Sequence, residues 1–182
     1  MLRFFPANLL RPALTEPAPA AGEAALAELG RSLARATRRR LGRALAIREV
    51  DAGSCNGCEL EIHALNNAYY DVERFGLRFV ASPRHADVLM VTGPVTWNMR
   101  EALLRSWEAV PAPKWLVALG GCALDGGCFA ASPAVVGGVG AVLPVDLHIP
   151  GCPPPPADIL KGLLALLETA GGAAPHGSTG SP

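Results

Sequence analysis

From residue 44 onward, short apolar runs alternate with longer stretches whose apolar positions recur every third or fourth residue. The runs AIREVD (46–51), LRFVA (77–81), DVLMVTG (87–93), KWLVALG (114–120) and VDLHI (145–149) predict strands, DVLMVTG a buried one. The stretches ELEIHALNNAYY (59–70), REALLRSWEAV (100–110) and ADILKGLLALLE (157–168) predict helices. Strands alternating with helices pair in parallel through right-handed crossovers, with helices on both faces of one open sheet. An α/β domain is therefore expected over residues 44–169.

Ahead of it, residues 6–22 are rich in Pro and Ala and read as extended chain, while EAALAELGRSLARATRRRLGR (23–43) places Leu26, Leu29 and Leu33 at helical spacing. Its acidic residues come early and its arginines late, as the helix dipole favours. Such a basic amphipathic helix is expected either to pack one stripe on the body or to act as a docking arm near a membrane or partner subunit. On this reading residues 1–43 form an N-terminal extension that the sheet does not need. The tail after residue 169, ending GGAAPHGSTGSP, has the composition of disordered chain.

Composition narrows the picture. A chain of 182 residues, half of them hydrophobic, buries one core. The formal net charge of zero conceals an asymmetry: residues 1–43 carry eight Arg against Glu16, Glu23 and Glu28, so the remainder is acidic. An acidic body with no basic stripe interleaved with aromatics excludes nucleic acid as the expected partner. No apolar run approaches the roughly 18 residues of a membrane span. The start, cut by Arg3, Pro6 and Arg11, lacks the pattern of a secretory signal. A cytoplasmic protein is expected, and five cysteines in a reducing compartment point to metal ligation or redox work rather than to disulfides.

The cysteines carry the chemistry. Cys55 and Cys58 follow the first predicted strand, Cys122 follows KWLVALG and Cys152 follows VDLHI. Three loops thus bring four thiols to the carboxyl ends of parallel strands, the edge at which open α/β sheets bind ligands. Gly53 and Gly57 permit a tight turn whose amides point at sulfur, and the helix that follows directs its positive end there. Gly120 and Gly121 allow close backbone approach, and Pro150 with Pro153 to Pro156 fixes the chain on both sides of Cys152. Four thiolates are the usual ligands of a [4Fe-4S] cluster. Two other readings use the same residues: a dithiol redox pair at Cys55 and Cys58, and a structural zinc site. The thiols outside the C-x-x-C pair argue against the first, and the absence of a second close pair argues against the second. Cys128 is expected to be a buried, inert thiol.

The segments GSCNGCELEI, FGLRFVASPRHADVLMVTGPVT, WLVALGGCALDGG and VDLHIPGCPPPPADIL, in that order, resemble the family that unites the cluster-bearing 20 kDa subunit of complex I with the small subunits of membrane-bound [NiFe] hydrogenases. The complex I branch has adjacent cysteines in the first motif and the hydrogenase branch has C-x-x-C. CNGC therefore resembles the formate hydrogenlyase type of group 4 hydrogenase. The resemblance implies a flavodoxin-like fold and one [4Fe-4S] cluster on Cys55, Cys58, Cys122 and Cys152, with Cys128 left out. It also implies an oxidoreductase subunit that is not catalytic alone, working with a hydrogenase-like large subunit, ferredoxin-like iron–sulfur subunits and membrane subunits on the inner face of the cell membrane. The equivalent subunit of a complex-I-like NADH/quinone oxidoreductase, with a quinone contact, is the alternative within the family.

Lesser candidates surround the cysteines. Glu59 and Glu61 are proton-relay candidates or, equally, first-turn acids that stabilise a helix. Arg84 and His85 either place a cation near the cluster or line a quinone pocket, or else form a loop salt bridge. His63 and His148 read as ordinary core or surface histidines, and His176 falls in the tail.

Overall fold

The computed structural model describes residues 22–169. The Pro/Ala-rich stretch up to residue 21 and the tail with His176 lie outside the described residues. In chain order the elements are α1 (Gly22–Leu41), β1 (Leu45–Asp51), α2 (Gly57–Leu65), β2 (Leu77–Phe79), β3 (Val88–Thr92), β4 (Val95–Thr96) and α3 (Trp97–Ala109). Then follow β5 (Trp115–Leu119), α4 (Gly121–Asp125), β6 (Val135–Gly137), β7 (Leu147–Ile149) and α5 (Pro156–Thr169). Five strands pair in the order β2-β1-β3-β5-β7, all parallel. This is the doubly wound order of flavodoxin-like sheets, in which the chain reverses direction next to its first strand.

Alternation along the strands builds two cores. Val88 and Met90 of β3, with Trp115, Val117 and Leu119 of β5, face one layer made by α1, α2 and α5. Leu89, Val91, Leu116 and Ala118 face the opposite layer, where Leu103 and Trp107 of α3 and Ala123 of α4 cover them. Central strands buried on both faces read as near-continuous apolar runs, as β5 does throughout and β3 does up to its last residue, Thr92.

α1 belongs to the first of these cores. Leu26, Leu33 and Ala36 are buried in one cluster with the α5 residues Leu163, Leu166 and Leu167, so the stripe seen in the sequence packs on the body. Gly30 marks how closely: a Cβ there would stand 2.3 Å from the Phe75 ring. Of the two readings of this helix, packing on the body is the one observed for α1. Arg43, just beyond α1, forms a two-bond pair with the buried Asp87 at 2.5 and 2.7 Å, and Asp87 also accepts from the Ala46 amide. That pair ties α1 to the amino ends of β1 and β3.

The largest boundary differences from the sequence reading lie in two helices. α2 stops at Leu65 because Asn67 turns the chain, its side-chain oxygen accepting from the amides of Tyr69 and Tyr70. α3 begins earlier than expected, at Trp97, because Thr96 caps it by accepting from the Met99 amide. The short antiparallel pair of β4 and β6 and the single turn α4 were not anticipated. They are too short for periodicity to mark. No helix among the described residues is long and apolar enough to cross a membrane.

Candidate functional site

Three loops meet at the carboxyl edge of the sheet. After β1, the Asp51 carboxylate accepts from the amides of Gly53 and Ser54, both at 2.7 Å, and so folds the chain ahead of Cys55. Gly93, beyond β3, presses on this loop so closely that a Cβ would lie 2.5 Å from the Ser54 nitrogen. After β5, the Gly120 amide donates to the Ile149 carbonyl and the Gly121 amide to the Gly151 carbonyl, which joins the Cys122 loop to the Cys152 loop. His148 on β7 reinforces that joint, its Nε2 lying 3.2 Å from the Gly120 carbonyl oxygen. Gly120 has a positive φ, and a Cβ on it would stand 2.9 Å from Cys58 Sγ and 3.3 Å from the Gly151 oxygen. All three loops therefore touch at one glycine.

The thiols converge as the strand map requires. Cys55 and Cys152 are exposed, Cys58 and Cys122 half-buried, and all are free. Burial first, then the charges of Glu59, Cys55, Cys122 and Cys152, push the Cys58 thiol up to about 12. Burial, with Cys128, Cys152 and Cys55, pushes the Cys122 thiol up. Cys58 thus feels the other three of the quartet across the loops, and Cys122 feels Cys152 and Cys55. Cys128 corrects the expectation of a buried thiol, since it is exposed, and its backbone amide acts to lower the Cys122 thiol against the effect of burial. Gly127 presses on the same sulfur, where a Cβ would lie 2.7 Å away. Among the described residues, no three His, Cys, Asp or Glu side chains gather as ligands of a metal ion.

The lesser candidates fall in different places. Glu59 is buried beside Cys58, and neither of its carboxylate oxygens has a hydrogen-bond partner. It lines a cavity of about 300 Å³ together with Glu49 of β1 and His63. Burial, and then the Glu59 and Asp51 charges, raise the Glu49 carboxyl against a bond from Thr92 Oγ1 at 3.2 Å. Glu61, half-buried, lies near Tyr70, whose phenol is pushed up by burial, Tyr69 and Glu61. Arg84 and His85 are exposed in the turn Pro83–His85, which precedes the amino end of β3 and packs on α3. They are not on the cysteine edge, so they bring no cation to it. Glu49 was missed because, within a strand, it reads as a solvent-facing position; only the open edge beside it makes it part of a site.

Comparison with known proteins agrees with this arrangement. The profile of "NADH ubiquinone oxidoreductase, 20 Kd subunit" matches residues 55–166. Formate hydrogenlyase subunit 7 of Escherichia coli is 43% identical over 166 residues, covering 88% of this chain and 64% of that protein, so the chain spans less than two thirds of this relative. A probable membrane-bound hydrogenase subunit of Pyrococcus furiosus is 45% identical over 128 residues, covering 70% of this chain and 77% of its own length. Among solved structures, a chain of the archaeal membrane-bound sulfane sulfur reductase superposes with a TM-score of 0.63 at 31% identity over 75% of each chain. A match over most of the chain, through every cysteine loop of the site, places this protein in the family of the 20 Kd subunit of NADH ubiquinone oxidoreductase.

Proposed function

We propose that this chain is the electron-transfer small subunit of a membrane-associated, group 4 hydrogenase-like complex, and that it holds one [4Fe-4S] cluster on Cys55, Cys58, Cys122 and Cys152. The observation that carries the reading is the meeting of three cysteine loops at Gly120, with backbone pressed on two of the sulfurs where any side chain would intrude. Close backbone suits thiolates that ligate an anionic cluster, because amides aimed at sulfur stabilise the added charge. The Cys128 amide acts in this direction, lowering the Cys122 thiol against the effect of burial. A cluster held there changes by one electron at a time.

The chain's own residues then have separate tasks. Gly120 and His148 hold the second and third loops in register, and Asp51 shapes the first. Of the two acids that follow the first loop, Glu61, on the Tyr70 side of α2, stands as the proton-relay candidate. The relatives named for hydrogenase work and the C-x-x-C spacing favour a hydrogenase-like large subunit as partner, with ferredoxin-like and membrane subunits in the assembly. A dithiol oxidoreductase is disfavoured, because a redox pair at Cys55 and Cys58 has no use for two further thiols, Cys122 and Cys152, brought to the same edge by separate loops.

Anaerobic purification tests the reading. About four iron and four sulfide per chain are expected, as four thiolates on one cubane require. Cys152→Ala is expected to lose the native spectrum and Cys128→Ala to keep it. Stoichiometric zinc without sulfide, or an intact cluster in Cys152→Ala, overturns the assignment.

A further inference from the structure

β2 is shorter than β1 and pairs with it only from Leu45 to Ile47, so Arg48 and Glu49, paired with β3 on one side, have no neighbouring strand on the other. Beyond the end of β2 this edge opens into the cavity of about 300 Å³ beneath α2. Its interior is divided by chemistry. Ile62 and Phe79 give apolar wall, while Glu49 and Glu59 give two carboxylates and Asn66 a further polar group. Glu59 is about nine-tenths buried, and both of its oxygens are without a partner. Arg48 lines the same cavity yet leaves those oxygens unbonded.

A buried carboxylate with no partner is costly, and a second acid beside it raises the cost. Removing one side of a buried charge pair leaves this same imbalance, which a cation restores. We propose that the cavity receives an arginine side chain from a neighbouring subunit, its guanidinium pairing with Glu59 and Glu49 and its methylene stem lying on Ile62 and Phe79. The fit is in the division of the wall: a long side chain buries its stem on apolar surface and keeps its charged head for the carboxylates. Two carboxylates also suit a planar fork of donors better than a point charge. A bound metal ion fits poorly, because hard cations take six or more oxygens and the three ligating side chains that line the cavity, Glu49, Glu59 and His63, are not gathered to hold one. This inference rests on reading the chain as one subunit of a multisubunit complex. It does not depend on the cluster.

The test uses the intact complex, recovered through a tag on this chain. Glu59→Gln keeps the shape and removes the charge. It is expected to weaken retention of the neighbouring subunit roughly tenfold or more in a salt titration, since truncating a buried interfacial charge pair acts mainly on dissociation. The full-length chain carrying Glu59→Gln is expected to melt no lower than wild type, because the buried carboxyl it replaces makes no hydrogen bond in the chain alone. Opposite signs in the two measurements separate recognition from a structural role. Unchanged retention, or retention and melting falling together, overturns the proposal. Glu49→Gln serves as the second variant, with a smaller loss expected. An electron cryo-microscopy map of the wild-type complex gives an independent reading: a guanidinium between Glu49 and Glu59 supports the proposal, and water, a metal ion or the cavity closed by other chain overturns it. Failure of the cluster reading would show separately, as wild-type complex without iron and sulfide in this chain.

Discussion

Cys58 is the residue on which burial and chemistry pull hardest against each other. Its thiol, pushed up to about 12, is protonated at neutral pH, yet a cluster ligand is a thiolate. Loading must therefore release this proton. Because the folded value stands above the ordinary thiol range, the cluster-free fold is most stable below that range and loses stability as pH rises toward 12. A direct consequence is an order of reactivity. At about pH 8 the cluster-free chain is expected to alkylate at the exposed Cys55 and Cys152 before Cys58, because the thiolate is the nucleophile. Peptide mapping after a short iodoacetamide pulse reads the order, and early labelling of Cys58 would show that its surroundings have been misjudged. The order is not legible in CNGC itself, where the two cysteines look alike. It arises because Cys58 faces the Leu119 carbonyl, 3.8 Å away, while Cys55 faces outward.

At the scale of elements, α1 is the segment whose role changes most between sequence and structure. Its stripe of leucines was visible, but its arginines suggested an arm. Arg31 and Arg35 in fact pair with Glu28 on the exposed side of the same helix, and the leucines sit under α5. Leu33, fully buried, supplies the test. Leu33→Ala is expected to destabilise the chain by about 2–5 kcal/mol, the cost of a large-to-small change in a packed core. Denaturant unfolding with an unchanged slope measures it. A wild-type midpoint would mean that α1 is an arm after all. The strands behaved differently: β3 and β5 were found within a residue of their ends, because positions buried on both faces leave a continuous apolar run that no other element of that length shows.

For the molecule as a whole, the site exists only where segments far apart in sequence meet. Gly120 is the sharpest instance, touching the Cys58 sulfur and the Gly151 oxygen while it leads into Cys122. Gly120→Ala is expected to lower iron per chain well below wild type while circular dichroism shows the sheet retained, since the strain falls on the loops and not on the strands. Full iron content in that variant would show that the loops reach the cluster without this contact. By itself the sequence determined the α/β class, the central strands, the placing of four cysteines after strand ends and the family, because periodicity and motif spacing are local properties of the chain. It did not determine that α1 is core, that Cys128 is exposed, that Arg84 and His85 lie away from the cysteine edge, or that Glu49 and Glu59 share a cavity. Those depend on where β2 ends, which helix covers which face and how loops stack across the sheet, and such facts come into being only when residues dozens of positions apart compete for the same space.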